Sequence, residues 1–241
     1  MARARAKRGR GRWRRWWWRL LGLLVLLPWL VVAVLRWVDP PLSAFMLGYL
    51  LQRGADDPVL QHEWVPLASI SPHLQIAVIA AEDQRFAEHA GFDLPAIRDA
   101  VTEGGRRGAS TISQQVAKNL FLWPGRSWLR KALEAGLTVC IEALWSKERI
   151  LEVYLNVAEF APGVYGAQAA ARHHFGRDAD CIEPRQAALL AAVLPNPHRL
   201  SASRPSAYVL RRARWIERQV GQLGGVAGLA RVHGQTQDGM R

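Results

Sequence analysis

Beyond Asp57 the chain shows hardly any apolar–polar alternation of period two, whereas apolar residues recur three and four positions apart in most segments. A half-buried strand needs the first pattern and a half-buried helix the second, so the body is expected to be mainly α-helical. Helices are predicted over 72–85, 111–122, 128–145, 147–158, 164–174, 184–193 and 205–219. Gly104-Gly105, Gly108, Pro124-Gly125, Pro162-Gly163 and the stretch from Pro195 to Pro197 separate them. No internal repeat is present. Half of the 241 residues are hydrophobic and 22% are charged, which suffices for one core and excludes wholesale disorder. Two cysteines exclude a disulfide scaffold or a four-cysteine zinc site. Cys140 reads as a small core hydrophobe and Cys181 as a spare thiol, while His173-His174 lacks a spaced third metal ligand.

Ahead of the body lies an uncharged run from Leu20 to Leu35, flanked by Trp16, Trp17 and Trp18 on one side and Trp37 on the other. With the flanks it reaches the length of a membrane span, Arg19 and Arg36 snorkelling at its ends. Bulky Arg36, Trp37 and Val38 stand where a cleaved secretion signal needs small residues, which favours an uncleaved anchor. The formal charge of +12 is concentrated nearby: nine of the 32 Arg and Lys fall in residues 1–19, with no acid among them. A near-neutral body argues against a nucleic-acid surface, and the charge imbalance places the N-terminus in the cytoplasm. The expected organisation is therefore a basic cytoplasmic arm (1–19), a transmembrane anchor (16–38), an extracytoplasmic domain (39–220) and a flexible tail (221–241). The run Leu42 to Leu51 is too short to cross again, leaving a core helix or one lying on the membrane.

Two helices carry polar stripes. Thr111 and Gln114 form a capping pair at the start of the first, and Thr111, Gln114, Gln115 and Lys118 share one face opposite Ile112, Val116 and Leu120. In the second, Leu129, Ala132, Leu133, Gly136, Val139, Cys140 and Leu144 are expected to pack, with Arg130, Lys131, Glu134 and Thr138 on the other side. Lys118, Arg126, Arg130 and Lys131 lie close in sequence across the short connection Trp123-Pro124-Gly125-Arg126. Four converging cations suit a polyanion such as a diphosphate. Phe121, Leu122, Trp123 and Trp128 around them are expected to be exposed and to meet lipid, so the ligand reads as a lipid-linked diphosphate.

The segment from Glu82 to Asp93, with Glu82, Asp83, Phe86, His89, Gly91 and Asp93 in place, resembles the E-D-x-x-F-x-x-H-x-G-x-D motif of the peptidoglycan glycosyltransferases. Four further motifs follow in order. Gly108 to Gln115 with Lys118-Asn119 matches G-x-S-T-x-x-Q-Q-x-x-K-N, with Ser113 where the family usually has Thr. Arg130 to Glu134 matches R-K-x-x-E, Lys147 to Asn156 matches K-x-x-I-L-E-x-Y-L-N, and Gly163-Val164-Tyr165-Gly166 completes the set. The resemblance covers roughly residues 65–200. No transpeptidase domain would fit in the remaining length, so the likeness is to the monofunctional biosynthetic branch. It implies a lysozyme-like helical domain with a membrane-dipping subdomain, preceded by the single transmembrane helix in the cell inner membrane, the catalytic domain being periplasmic.

The resemblance also implies the chemistry. Lipid II would be joined to a growing lipid-linked glycan through a β-1,4 bond with release of undecaprenyl diphosphate, in one inverting displacement. Glu82 would be the base, with Asp83 sharing or supporting its role and Phe86 and His89 supporting; for His89 a structural hydrogen bond is favoured over acid catalysis. Glu134, the second catalytic candidate, would hold the basic side chains, a sugar or Mg²⁺; no organic cofactor is implied. Lys118, Arg126, Arg130 and Lys131 would take the diphosphate. Thr111 and Asn119 join the substrate-binding candidates, and Gln114, Gln115 and Asn156 would bind sugar or satisfy backbone groups, Gln115 leaning to sugar. Partners would be the membrane and other wall-synthesis proteins. Two alternatives remain: a lytic enzyme that cuts the same glycan, disfavoured because a sugar leaving group needs a proton rather than cations, and a tethered scaffold without chemistry.

Overall fold

The computed structural model describes residues 26–234 except 103–109 and Arg126, together with Trp13, Trp16, Trp17, Arg19 and Gly22. Helical residues 26–34 form α1. They are followed by α2 (Ala44–Gln52), β1 (Gln61–His62), α3 (Pro72–Glu82), α4 (Leu94–Thr102), α5 (Ile112–Phe121), α6 (Trp128–Leu144) and α7 (Lys147–Val157). A hairpin of β2 (Glu159–Ala161) and β3 (Val164–Tyr165) leads to α8 (Ala167–Phe175), α9 (Pro184–Val193), α10 (Ala207–Gln222) and α11 (Ala230–His233). The described chain is mainly α-helical, as its periodicity requires.

The core is built around α3. Ser71 caps its start, Pro72 occupies the first turn, and every residue from Leu74 to Ala80 is buried. A helix apolar on all sides must be surrounded, and α9 and α10 pack on it, the alanines of α9 allowing close approach. Each large aliphatic residue of α3 buried in this way contributes about 1.5–3 kcal/mol. On the other side of the molecule α5 lies between α6 and α7. The expected helix 72–85 stops at Glu82 because Asp83 leaves helical geometry (φ −160°, ψ 76°) and its carboxylate binds elsewhere.

Strands β1 and β3 pair in parallel and β2 and β3 antiparallel, giving the order β1-β3-β2. The expected helix 164–174 therefore begins only at Ala167, since Val164 and Tyr165 are spent on the sheet. Gly166, between them, adopts φ +86°, and a Cβ there would lie 2.9 Å from the carbonyl oxygen of Asn156. The run around Leu42 forms α2, with Met46 buried and Leu47 and Leu51 exposed.

Two expectations are overturned. Among the described residues no helix is long and apolar enough to cross a membrane, so the transmembrane anchor, and with it the single-pass topology with a cytoplasmic N-terminus, is not supported. The helical residues 26–34 lead into the body. Their end is docked on it. Val32 is buried and its carbonyl accepts from the Trp145 indole at 2.7 Å, while Arg149 donates to the carbonyls of Leu35 and Val38 and pairs with Asp39. The rest of the basic arm lies outside the described residues. At the other end the chain continues, within the segment expected as a tail, as a 3₁₀ turn, Gly225–Leu229, and α11, with Leu229 and Val232 buried; residues 235–241 lie outside the described residues.

Gly166→Ala is expected to destabilise the domain by about 1–3 kcal/mol through the positive φ and the backbone clash. Urea unfolding of both proteins measures it, and an unchanged midpoint would show that the turn relaxes freely.

Candidate active site

Glu82 ends α3 at the floor of a cleft of about 300 Å³ lined by Ala80 to Arg85, Asp93, Ala96, Ser110 and Thr111. Its Oε2 accepts from Gln115 Nε2 at 2.9 Å, and its Oε1 lies 3.6 Å from Arg212 Nη2 of α10. Burial is the largest influence on this carboxyl and raises its pKa; Gln115, Arg212 and Lys118 oppose the rise and Asp83 adds to it. Gln115 is itself oriented, because its Oε1 accepts from the hydroxyl of the buried Tyr154 at 3.4 Å.

Asp83 is fully committed. Oδ1 meets His89 Nε2 at 2.9 Å, and Oδ2 accepts from the Ile112 amide, the first of α5, at 2.9 Å. His89 Nδ1 accepts from the Gly91 amide, which fixes the proton on Nε2 for donation to Asp83. Both ring nitrogens are thus occupied, as the structural reading of His89 requires. Phe86 is buried edge-on to the His89 ring, with Lys147 Nζ 4.6 Å from its centroid. Lys147 also donates to the His89 carbonyl and pairs with Glu142, to which Ser113 donates. Gly91 packs where a Cβ would meet Thr138 and Glu142 at 2.7 and 2.9 Å. The whole loop after Glu82 is therefore fastened to α5, α6 and α7.

The α5 stripe divides into two roles. Thr111 and Gln114 are buried in a reciprocal capping box, and the Thr111 hydroxyl donates to the Gly91 carbonyl at 2.7 Å. From Ile112 to Leu120 only Gln115 and Lys118 reach the surface. Lys118 Nζ lies 5.4 Å from the Phe45 ring and, among the described residues, donates to no protein oxygen; burial lowers its pKa. Asn119 is buried, with no partner for Oδ1 among the described residues.

On α6 the expected faces are reversed over its first three turns: Arg130, Glu134 and Thr138 are buried, while Leu129, Ala132, Leu133, Gly136 and Val139 are exposed. Cys140 is buried and Leu144 half-buried against the core, as expected. Periodicity finds two faces but not which one packs, and here α6 meets α5 in part through the hydrogen bond that Ser113 donates to Glu142. Arg130 Nη1 donates to Glu134 Oε2 at 2.8 Å and Lys131 Nζ to Oε1 at 2.5 Å. Three cations, Lys118, Arg130 and Lys131, thus surround one carboxylate, an excess that an anion would neutralise. Both Glu134 oxygens already face cations, a donor set that does not suit Mg²⁺, and among the described residues no three His, Cys, Asp or Glu are grouped to hold a metal. Arg126 lies outside the described residues. The apolar patch also differs from expectation: Trp128 is 92% and Trp123 48% exposed, but Leu122 is buried and Phe121 half-buried.

Asn156 is not at the cleft. It is fully buried, accepts from the Val65 amide and donates to the carbonyls of Val65 and Glu152, so it satisfies backbone groups rather than sugar. Arg212 and Tyr154 were not among the candidates. Arg212 had a visible signal, standing in the apolar stripe of α10 between Val209 and Ile216, whereas the Tyr154 contact with Gln115 has none in the sequence.

Asn156→Ala is expected to lower stability by about 1–3 kcal/mol, the cost of an unpaired buried amide, without weakening substrate affinity per folded molecule. Thermal melts beside binding measurements test this, and an affinity loss without a stability loss would return Asn156 to the site.

Residues 51–221 match the family model described as Transglycosylase. The chain is 61% identical over 201 residues to the biosynthetic peptidoglycan transglycosylase of Pseudomonas entomophila, covering 81% of this chain and 85% of the relative. It is 60% identical over 202 residues to that of Pseudomonas syringae pv. syringae (81% and 86%) and 58% identical over 214 residues to that of one Pseudomonas putida strain (86% and 89%).

Proposed function

The chain belongs to the transglycosylase family and is a peptidoglycan glycosyltransferase that polymerises lipid II into glycan strands; on that premise we propose that Glu82 is the base and that Lys118, Arg130 and Lys131 receive the departing diphosphate. The observation that carries this reading is the continuity of one polar wall. Gln115 holds Glu82, and Lys118, one turn further along α5, leads from the base to the cations on α6. Arg126 joins the diphosphate group by its place in the sequence.

The acceptor's 4-hydroxyl oxygen attacks the anomeric carbon of the lipid-linked donor. Its proton passes to Glu82, the bond from that carbon to the phosphate oxygen breaks, and the electron pair leaves with undecaprenyl diphosphate. An α-linked diphosphate gives way to a β-1,4 bond in one inverting step, without a covalent enzyme intermediate. Burial suits Glu82 to this task by making its carboxylate a stronger base. Lys118 with Arg130 and Lys131 stabilises charge where it grows on the leaving group. Glu134 sets the spacing of Arg130 and Lys131 and keeps their excess charge directed at one place.

The exposed stripe of α6, from Trp128 and Leu129 to Val139, suits contact with the bilayer that carries the substrate's lipid tail. It stands beside the cation cluster on the same helix, so it would set the diphosphate site at headgroup level.

Glu82→Gln should abolish polymerisation with folding and lipid II binding retained; polymer formed at near the unaltered rate would remove Glu82 as base. The pH–rate profile should be bell-shaped. Its acid limb should lie above the ordinary carboxylate range, because the raised Glu82 must lose its proton to act, and its alkaline limb below the ordinary lysine range, because the lowered Lys118 must keep its own. Leu129→Asp with Val139→Asp should reduce liposome binding at least tenfold while leaving circular dichroism unchanged, and undiminished flotation would exclude the stripe as the contact.

A further inference from the structure

We propose that Arg212 is the positioning residue for Glu82, holding the carboxylate oxygen that Gln115 does not hold and supplying the cation against which the base remains ionised. The inference rests on the assignment of Glu82 as base and extends it to a helix outside the motifs that carry the family resemblance.

Arg212 Nη2 stands 3.6 Å from Glu82 Oε1, close enough for an ion pair and too long for a hydrogen bond. Its Nε is buried with no hydrogen-bond partner among the described residues. Nε and Nη2 are the two donors on one edge of a guanidinium. The nitrogen that approaches Glu82 thus shares an edge with a buried N–H that has no partner among the described residues, in a side chain that is only 23% exposed. Leaving such a donor unpaired is costly, and a small closure would let the edge grip the carboxylate in a fork. Trp215, whose ring centroid lies 5.9 Å from the guanidinium carbon, backs the arginine on its own helix. A second tie joins the same elements, since Gln84 Nε2 donates to Gln219 Oε1 at 3.0 Å, so α10 and the end of α3 are already held together.

The charged and titratable groups around Glu82 are Asp83 beside it, Lys118 from α5, Tyr154 from α7 and Arg212 from α10. Asp83 is held by its hydrogen bonds to His89 and the Ile112 amide, and Lys118 is directed to the leaving group. Arg212 is the cation whose contact is with Glu82 itself. Removing it leaves the carboxyl to burial and to Asp83, both of which favour the protonated form.

The test compares pH–rate profiles of the full chain with Arg212→Gln and Arg212→Lys, using lipid II as substrate. Arg212→Gln should move the acid limb up by about one pH unit or more, the shift expected for loss of a cation near a carboxylate, with a reduced plateau. Arg212→Lys should return the limb to its original place while the plateau remains low, because charge is restored but the fork is not. A limb unmoved in Arg212→Gln, or displaced equally in Arg212→Lys, would overturn the proposal. Melting temperatures of both variants separate a purely structural effect, which lowers rate and stability without moving the limb. Glu82→Gln run in parallel distinguishes the failures: active Glu82→Gln removes the base assignment, whereas inactive Glu82→Gln with an unmoved Arg212→Gln limb removes only the role of Arg212.

Discussion

Asp83 spends one carboxylate oxygen on His89 and the other on the first amide of α5. The second bond places a negative charge at a helix N-terminus, where unpaired amides and the helix dipole favour it. Through these two bonds the end of α3 sets the start of α5. Helix α5 in turn carries Gln115 to Glu82 and Lys118 towards α6. Without that link, Glu82 and the cations of α6 would sit on two elements with no fixed relation. Thr111 strengthens it by capping α5 and reaching the Gly91 carbonyl, and Lys147 closes the loop from α7.

Helix α6 shows what the site imposes on the fold. Its buried side holds Arg130 and Glu134, and its apolar side faces outward. A buried ion pair is a weak source of stability, and removing one partner leaves a charge that costs about 3–5 kcal/mol. An apolar face against α5 would have served folding at least as well. The inverted arrangement has chemical consequences instead, presenting cations beside the cleft and an apolar stripe to whatever lies outside.

Much of this was legible in the sequence. Seven expected helices occur, and the motif residues Glu82, Asp83, Gln115, Lys118, Arg130 and Glu134 do converge along one wall. What escaped depends on long-range partners. The orientation of α6 could not be read because an amphipathic pattern does not name the packed face. Asn156 was ambiguous because a buried amide and a sugar-binding amide have the same letter. The apolar N-terminal run matched a span in length, yet its end is held by Trp145 and Arg149, more than a hundred residues away. Arg212 lies in a helix read only for its periodicity.

On the proposed assignment Glu82 and the cations Lys118 and Arg130 would flank one reacting carbon from opposite sides. A structure of the protein with a lipid analogue that retains the sugar-linked diphosphate tests it most directly. The diphosphate is expected between Lys118 and Arg130, with the Glu82 carboxylate on the far side of the anomeric carbon, facing the acceptor position. A diphosphate bound away from Lys118 and Arg130, or Glu82 on the same side as the leaving group, would contradict it.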